Sequence, residues 1–128
     1  MTHVLIAVDD NEKRAVAQVE SILGLTPDVR ATVLHVFTEN PEGASVQHVG
    51  SVRRAKNLLE DAGVDVSLAE DSGDPSKAIL RRARDSDVDL ISVSGRKRSP
   101  AGKALIGSVS QSVLLGADCP VLFTAQAE

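Results

Sequence analysis

The residues best suited to hold an anion lie between Ser94 and Ser110. They are a Ser-Gly pair (Ser94-Gly95), a basic run (Arg96, Lys97 and Arg98, with Lys103 further on) and the tetrad Gly107-Ser108-Val109-Ser110. An apolar run from Val88 to Val93 leads into the pair, and Ile106, Val109, Val113 and Ala117 follow at helical spacing, so the stretch reads as strand, loop, helix. The first turn of a helix has backbone N–H groups without an intrahelical acceptor and a partial positive charge, and glycine lets an anion approach the backbone. Gly107, Ser108, Val109 and Ser110 are therefore candidate donors to a phosphate. Four of the eight residues 96–103 are Lys or Arg in a chain of formal net charge -4, a local reversal of sign that favours a phosphate-bearing ligand. Two familiar phosphate motifs are excluded. Six residues separate Gly95 from Gly102 where a P-loop has four, Ala104 stands where that loop needs Ser or Thr, and no G-x-G-x-x-G occurs.

Such a loop needs a scaffold, and the rest of the chain alternates strand and helix signals. Val4-Leu5-Ile6-Ala7-Val8 is a continuous apolar run, which predicts a central strand buried on both faces. Ala15, Val16, Val19, Ile22 and Leu23 repeat at helical spacing as far as Gly24 and Pro27, with Asp9 and Glu12 placed as a capping box. A strand over Thr32–Phe37 and a turn-rich stretch precede a second helix carrying Val49, Val52, Ala55, Leu58, Leu59 and Ala62, ended by Gly63. Val64, Val66 and Leu68 alternate with polar residues, as on an edge strand, and Asp74-Pro75 reads as the N-cap and first-turn proline of a third helix. A short last strand begins at Pro120-Val121-Leu122-Phe123, with residues 125–128 as a tail. Strands alternating with helices require parallel pairing through right-handed crossovers, hence a doubly wound α/β sheet.

The 128 residues fit one domain, 1–128. With two Phe, no Tyr and no Trp, the 42% apolar fraction is aliphatic, which suits a buried parallel sheet and offers no aromatic platform for single-stranded nucleic acid. A single cysteine, Cys119, forbids an internal disulfide, and with three scattered His it leaves no ordinary structural zinc set. No apolar run approaches the roughly 18 residues of a membrane span, and Met1-Thr2-His3 passes straight into a strand rather than a signal-peptide core. The expectation is a cytoplasmic protein with neither nucleic acid nor membrane as partner. His35 reads as a packed or solvated histidine with no acid or metal partner, and Cys119 as a small buried hydrophobe.

From Gly95 through Cys119-Pro120-Val121-Leu122 the chain resembles the C-terminal signature of the universal stress protein family. Nucleotide-binding members of that family carry Gly, two residues, Gly, nine residues, then Gly with Ser or Thr, leading into a helix and a Cys-Pro-Val strand. Here Arg98 occupies the second glycine's place and eight residues separate it from Gly107. The resemblance extends from Val4 to Phe123. It implies an open five-stranded parallel sheet of order 3-2-1-4-5 with helices on both faces, of the adenine nucleotide alpha hydrolase-like kind. In that order strands one and four lie side by side while their connections leave to opposite faces, and ligands bind at the carboxyl ends of such a switch point. The implied ligand is ATP or a related adenine nucleotide, a triphosphate commonly bringing Mg²⁺. Carried over residue by residue, Ala7, Val8 and Val36 border the adenine and Asp9 holds the nucleoside end. Ser94, Gly95, Gly107, Ser108, Val109 and Ser110 take ribose and phosphates, and Lys97 and Arg98 offer charge to them. The resemblance also implies a homodimer joined through the last strand, where Val121, Leu122 and Phe123 form an apolar edge.

Three functions stand open: a stress-protective regulatory module that binds ATP, a dimeric interaction scaffold that binds no nucleotide, and a weak ATP hydrolase. No nucleophile with a base and an orienting group can be read, since the serines lack a His partner and no two carboxylates share a face. The sequence nominates no catalytic residue and no metal ligand.

Overall fold

A computed structural model describes residues 1–26, 28–38, 45–97, 104–105 and 107–127. In chain order the elements are β1 (Thr2–Ala7), α1 (Glu12–Leu25), β2 (Val29–Phe37), a 3₁₀ turn (Val46–His48), α2 (Gly50–Asp61), β3 (Asp65–Ser72), α3 (Pro75–Asp85), β4 (Leu90–Lys97), β5 (Ala104–Leu105), α4 (Ser108–Gly116) and β6 (Val121–Ala127). Five strands are parallel in the order β3-β2-β1-β4-β6, the expected 3-2-1-4-5, and the two-residue β5 adds an antiparallel partner to β4. Among the described residues, no helix is long and apolar enough to cross a membrane.

Alternation along the strands distributes the core. Val4 and Ile6 of β1, with Val33 of β2, pack under α1 and α2; Leu5, Leu34, Ile91 and Val93 pack under α3 and α4. Because helices cover both faces, β1 is apolar at successive positions rather than at every second one. The half-exposed alternation of residues 64–68 likewise ends where expected, on an edge strand that pairs with β2 along its length.

The local signals at helix starts are partly rearranged. Asp74 caps α3 with Pro75 in its first turn, as read. At α1, however, the cap is Asn11, whose side chain accepts from the Arg14 N–H at 2.9 Å. Asp9 stands two residues too early for the capping box and accepts the Asn11 N–H at 2.8 Å instead. A larger departure concerns residues 94–97. Ser94-Gly95 was expected to open a loop, yet β4 runs through both to Lys97. The reason lies across the sheet, where residues 125–127, expected as a tail, continue β6 and give Gly95, Arg96 and Lys97 the partners Ala125, Gln126 and Ala127.

The strand ends are uneven, and this unevenness makes the site. β1 pairs with β4 only from Val4↔Leu90 to Ile6↔Ser92. It stops at Ala7, whereas β2 continues beside β3 to Phe37 and β4 continues beside β6 to Lys97. The C-terminal edge of the sheet therefore has a notch over β1. Where the β1–β4 ladder ends, the fully buried Gln18 of α1 takes over, its Nε2 donating to the carbonyls of Ala7 (3.0 Å) and Ser92 (3.3 Å) and lying 3.2 Å from the Ser92 hydroxyl. Turning the amide over would set its oxygen against those carbonyl oxygens, so the Oε1 is left without a partner among the described residues. Gln18→Leu keeps the bulk and removes the donor. It is expected to lower the unfolding free energy by about 1–3 kcal/mol, the usual cost of stranding buried acceptors, read as a lower urea midpoint at constant slope. An unchanged midpoint would mean that Gln18 does not hold the floor of the notch.

Candidate functional site

A cavity of about 460 Å³ opens in the notch. On the α3–α4 side its wall is apolar, built from Leu34 and Val36 of β2, Val93 of β4, Ile79 of α3 and Val109 of α4. Val8, His35 and Phe37 line the part toward α1 and α2, following the alternation that puts Val33 on that side. The apolar part lies between strand ends and two helix starts, and a slot of this kind takes a planar apolar ring with polar groups at its rim.

The polar groups differ in how far the protein already uses them. The hydroxyl of Ser110, 5% exposed, donates to the Ser94 carbonyl at 3.0 Å and so ties the first turn of α4 to β4. Its oxygen still has acceptor capacity. Gly107 is the N-cap of α4, with φ −72° and ψ 169°, and no side chain bonds to the first-turn N–H groups from that position. Among the described residues, a Cβ built on Gly107 would meet nothing within 4 Å. Neither the backbone conformation nor the packing of the described residues demands glycine there. The N–H groups of Ser108, Val109 and Ser110, the first three of the helix, have no intrahelical acceptor.

The neighbouring helix start is different. Asp74 accepts from the N–H groups of Ser76 (3.1 Å) and Lys77 (3.4 Å) and from the Ser76 hydroxyl (2.9 Å). The bond from the Ser76 hydroxyl, more than any other contact, holds the Asp74 carboxyl below the usual carboxylate range. α3 thus brings its own anion, whereas α4, like α2 at Val49, starts without a side-chain cap.

Asp9 lines the cavity with its carboxylate already engaged, Oδ1 by the Asn11 N–H and Oδ2 by the Arg14 guanidinium at 2.8 Å, while its carbonyl accepts from the Ser51 hydroxyl. His35 is buried, and its Nδ1 donates to the Val8 carbonyl at 2.9 Å, which fixes the tautomer and leaves Nε2 3.6 Å from Asp10 Oδ1. An acid, Asp10, thus stands near His35, which was expected to have none nearby, although at 3.6 Å it lies beyond hydrogen-bond distance of Nε2. The two are far apart in sequence but end neighbouring strands, and that common position was the available signal. Phe37 meets the imidazole edge-on at 4.7 Å.

Of the residues expected at a ligand, Ala7, Val8, Asp9, Val36, Ser94, Val109 and Ser110 line the cavity together. Gly95 lies within β4, Gly107 and Ser108 stand just outside at the α4 start, Lys97 ends β4, and Arg98 lies outside the described residues. Pro75, Ile79 and Asp10 line it as well and were not anticipated. Among the described residues no cluster of His, Cys, Asp or Glu is placed to hold a metal ion. Cys119 is half-buried beside Asp118, remote from this cavity, and burial first, then Asp118 and Asp89, pushes its thiol up, so it stays protonated and is a poor nucleophile.

Comparison with known proteins agrees with this architecture. The model of the universal stress protein family matches residues 1–124. A universal stress protein of Mycolicibacterium smegmatis is 38% identical over 74 residues, 57% of this chain and 57% of that protein. The chain spans about half the length of the curated relatives it matches. Among solved structures, a universal stress protein family protein from Arabidopsis thaliana with AMP bound superposes with a TM-score of 0.74 at 21% identity, covering 98% of this chain and 92% of that one. A universal stress protein in complex with cAMP gives 0.73 at 20% identity, covering 97% and 96%. At such identities the structural likeness establishes the fold, and the family match over nearly the whole chain establishes the lineage. The chain belongs to the universal stress protein family.

Proposed function

We propose that this chain is a universal stress protein domain that binds an adenine nucleotide in the notch over β1 and acts as a regulatory or protective module. In this reading the purine lies between Val36 and the α3–α4 wall formed by Ile79 and Val109. The ribose sits near Ser94 and Ser110, and a phosphate caps α4 at Ser108, Val109 and Ser110. One observation carries the reading. Gly107 has an ordinary extended conformation and, among the described residues, open space where a Cβ would stand, at a helix start without a side-chain cap beside an apolar cavity. Glycine at such a place is explained by something that must come close to the backbone. The AMP and cAMP complexes of proteins with the same fold make an adenine nucleotide the ligand class to test first.

Calorimetry on nucleotide-stripped protein, with AMP as the probe, tests this directly. Saturable binding is expected, weakened at least about 10-fold in Gly107→Val, since a β-branched side chain would stand between phosphate and N–H groups worth ~1.4 kcal/mol or more. The same substitution should cost at most about 1 kcal/mol of stability, because it replaces only a weak cap. Absence of binding at millimolar AMP would favour the scaffold reading.

The last strand supports an assembly as well. Among the described residues β6 pairs with β4 alone, so its outer edge is open from Val121 to Ala127, and Leu115 of the preceding helix is 81% exposed. An open apolar edge favours pairing with a second copy through Val121, Leu122 and Phe123. Light scattering at micromolar concentration should give twice the chain mass; a monomer there would contradict the dimer.

A further inference from the structure

We infer that His35 and Asp10 read position 6 of the purine, accepting an amino group and rejecting a carbonyl oxygen. The inference rests on the adenine-nucleotide reading above and deepens it by naming the side chains that select adenine.

Both groups are hydrogen-bond acceptors where they meet the cavity. The Val8 carbonyl only accepts, so its 2.9 Å contact requires the proton of the neutral imidazole to be on Nδ1, and Nε2 keeps a lone pair. Turning the ring over would set a carbon against that carbonyl, and Phe37 packs edge-on against the ring at 4.7 Å between centroids. His35 is only 6% exposed, so the fold holds this orientation. Asp10, as a carboxylate, also only accepts. Its Oδ1 lies 3.6 Å from Nε2, and its side chain is 93% exposed. Both residues line the cavity. Two acceptors set side by side repel each other, and a ligand group that donates to them removes the conflict.

The pair stands where the far end of a purine falls. Alternation along β2 turns Val36 to the α3–α4 wall and the preceding His35 to the other side, and both sit at the end of the strand. β1 lies between β4 and β2 in the sheet. With the ribose near Ser94 and Ser110, a ring lying over the end of β1 therefore extends from β4 toward β2. The sugar is carried by the five-membered ring, and position 6 belongs to the six-membered ring beyond it. Adenine brings an amino group there, whose hydrogens have Nε2 and Oδ1 to go to. Hypoxanthine brings a carbonyl oxygen, whose lone pairs meet two more acceptors. Such a mismatch costs more than a bond merely lost, because every group involved gives up water and gains no partner.

Nucleotide-stripped protein titrated calorimetrically with AMP and with IMP, in mildly alkaline buffer that keeps imidazole neutral, decides the matter. The two probes share ribose and phosphate and differ only on the hydrogen-bonding edge of the six-membered ring. AMP is expected to bind at least about 10-fold more tightly than IMP. In Asp10→Asn the amide can turn an N–H toward the carbonyl oxygen, and the ratio should fall to within about 3-fold. His35→Asn offers an N–H to the Val8 carbonyl and removes Nε2, and its ratio should fall likewise, with the urea midpoint of each variant showing that it is folded. Because the Asp10 side chain is exposed, its variant keeps the test decisive even if the His35 variant unfolds. AMP no tighter than IMP in the unaltered protein, or a 10-fold ratio that survives Asp10→Asn, would overturn the inference and leave a nucleotide site standing. Failure of both probes to bind would remove the adenine-nucleotide reading itself, and the inference with it.

Discussion

The early end of β1 is the constraint from which the rest of the site follows. β1 leaves the sheet at Ala7 while β2 and β4 run on, and the ladder between β1 and β4 closes at Ile6↔Ser92. A central strand that stops short exposes carbonyls its neighbours can no longer satisfy, and leaving these unpaired in a dry interior is expensive. Gln18 resolves that conflict from α1, binding Ala7 and Ser92 together with one amide. With the floor held in this way, the walls need not close, and the apolar side chains of β2, β4, α3 and α4 surround a cavity instead of meeting.

Electrostatics at the rim then select what the cavity faces. Four helix starts border the cavity, and two of them carry their own polar caps, Asn11 on α1 and Asp74 on α3, while α2 starts at Val49 without one. α4 begins with a glycine and no side-chain cap. Of the two bare starts, α4's adjoins the apolar wall through Val109. Packing therefore supplies the apolar part of the cavity, and the bare start of α4 supplies unpaired N–H groups at its rim.

Much of this was legible in the residues, and the reasons for the rest are physical. The uninterrupted run Val4–Val8 announced a strand covered on both faces, and Asp74-Pro75 announced a helix start, because both signals are local. Strand order came from the resemblance, since periodicity carries no information on which strands are neighbours. The residues at the ends of β1, β2 and β4 could be named because a switch point places strand ends at the site. Pro75 and Ile79 could not, because α3 reaches the cavity only through tertiary packing against Leu34 and Val93. Ser94-Gly95-Arg96-Lys97 has the composition of a loop and is strand, because its structure is decided by pairing with β6 across the sheet and not by its own propensity. Asp10 and His35 are neighbours at the strand ends, which their spacing in sequence conceals.

The most direct test of the central claim is a backbone amide NMR titration of the stripped protein with AMP. The account predicts that the largest shifts at saturation fall on Val8, Val36, Ser94, Val109 and Ser110, with residues 116–119 and the end of α1 unmoved. Saturating shifts confined to β6, or to any surface that excludes the first turn of α4, would contradict it.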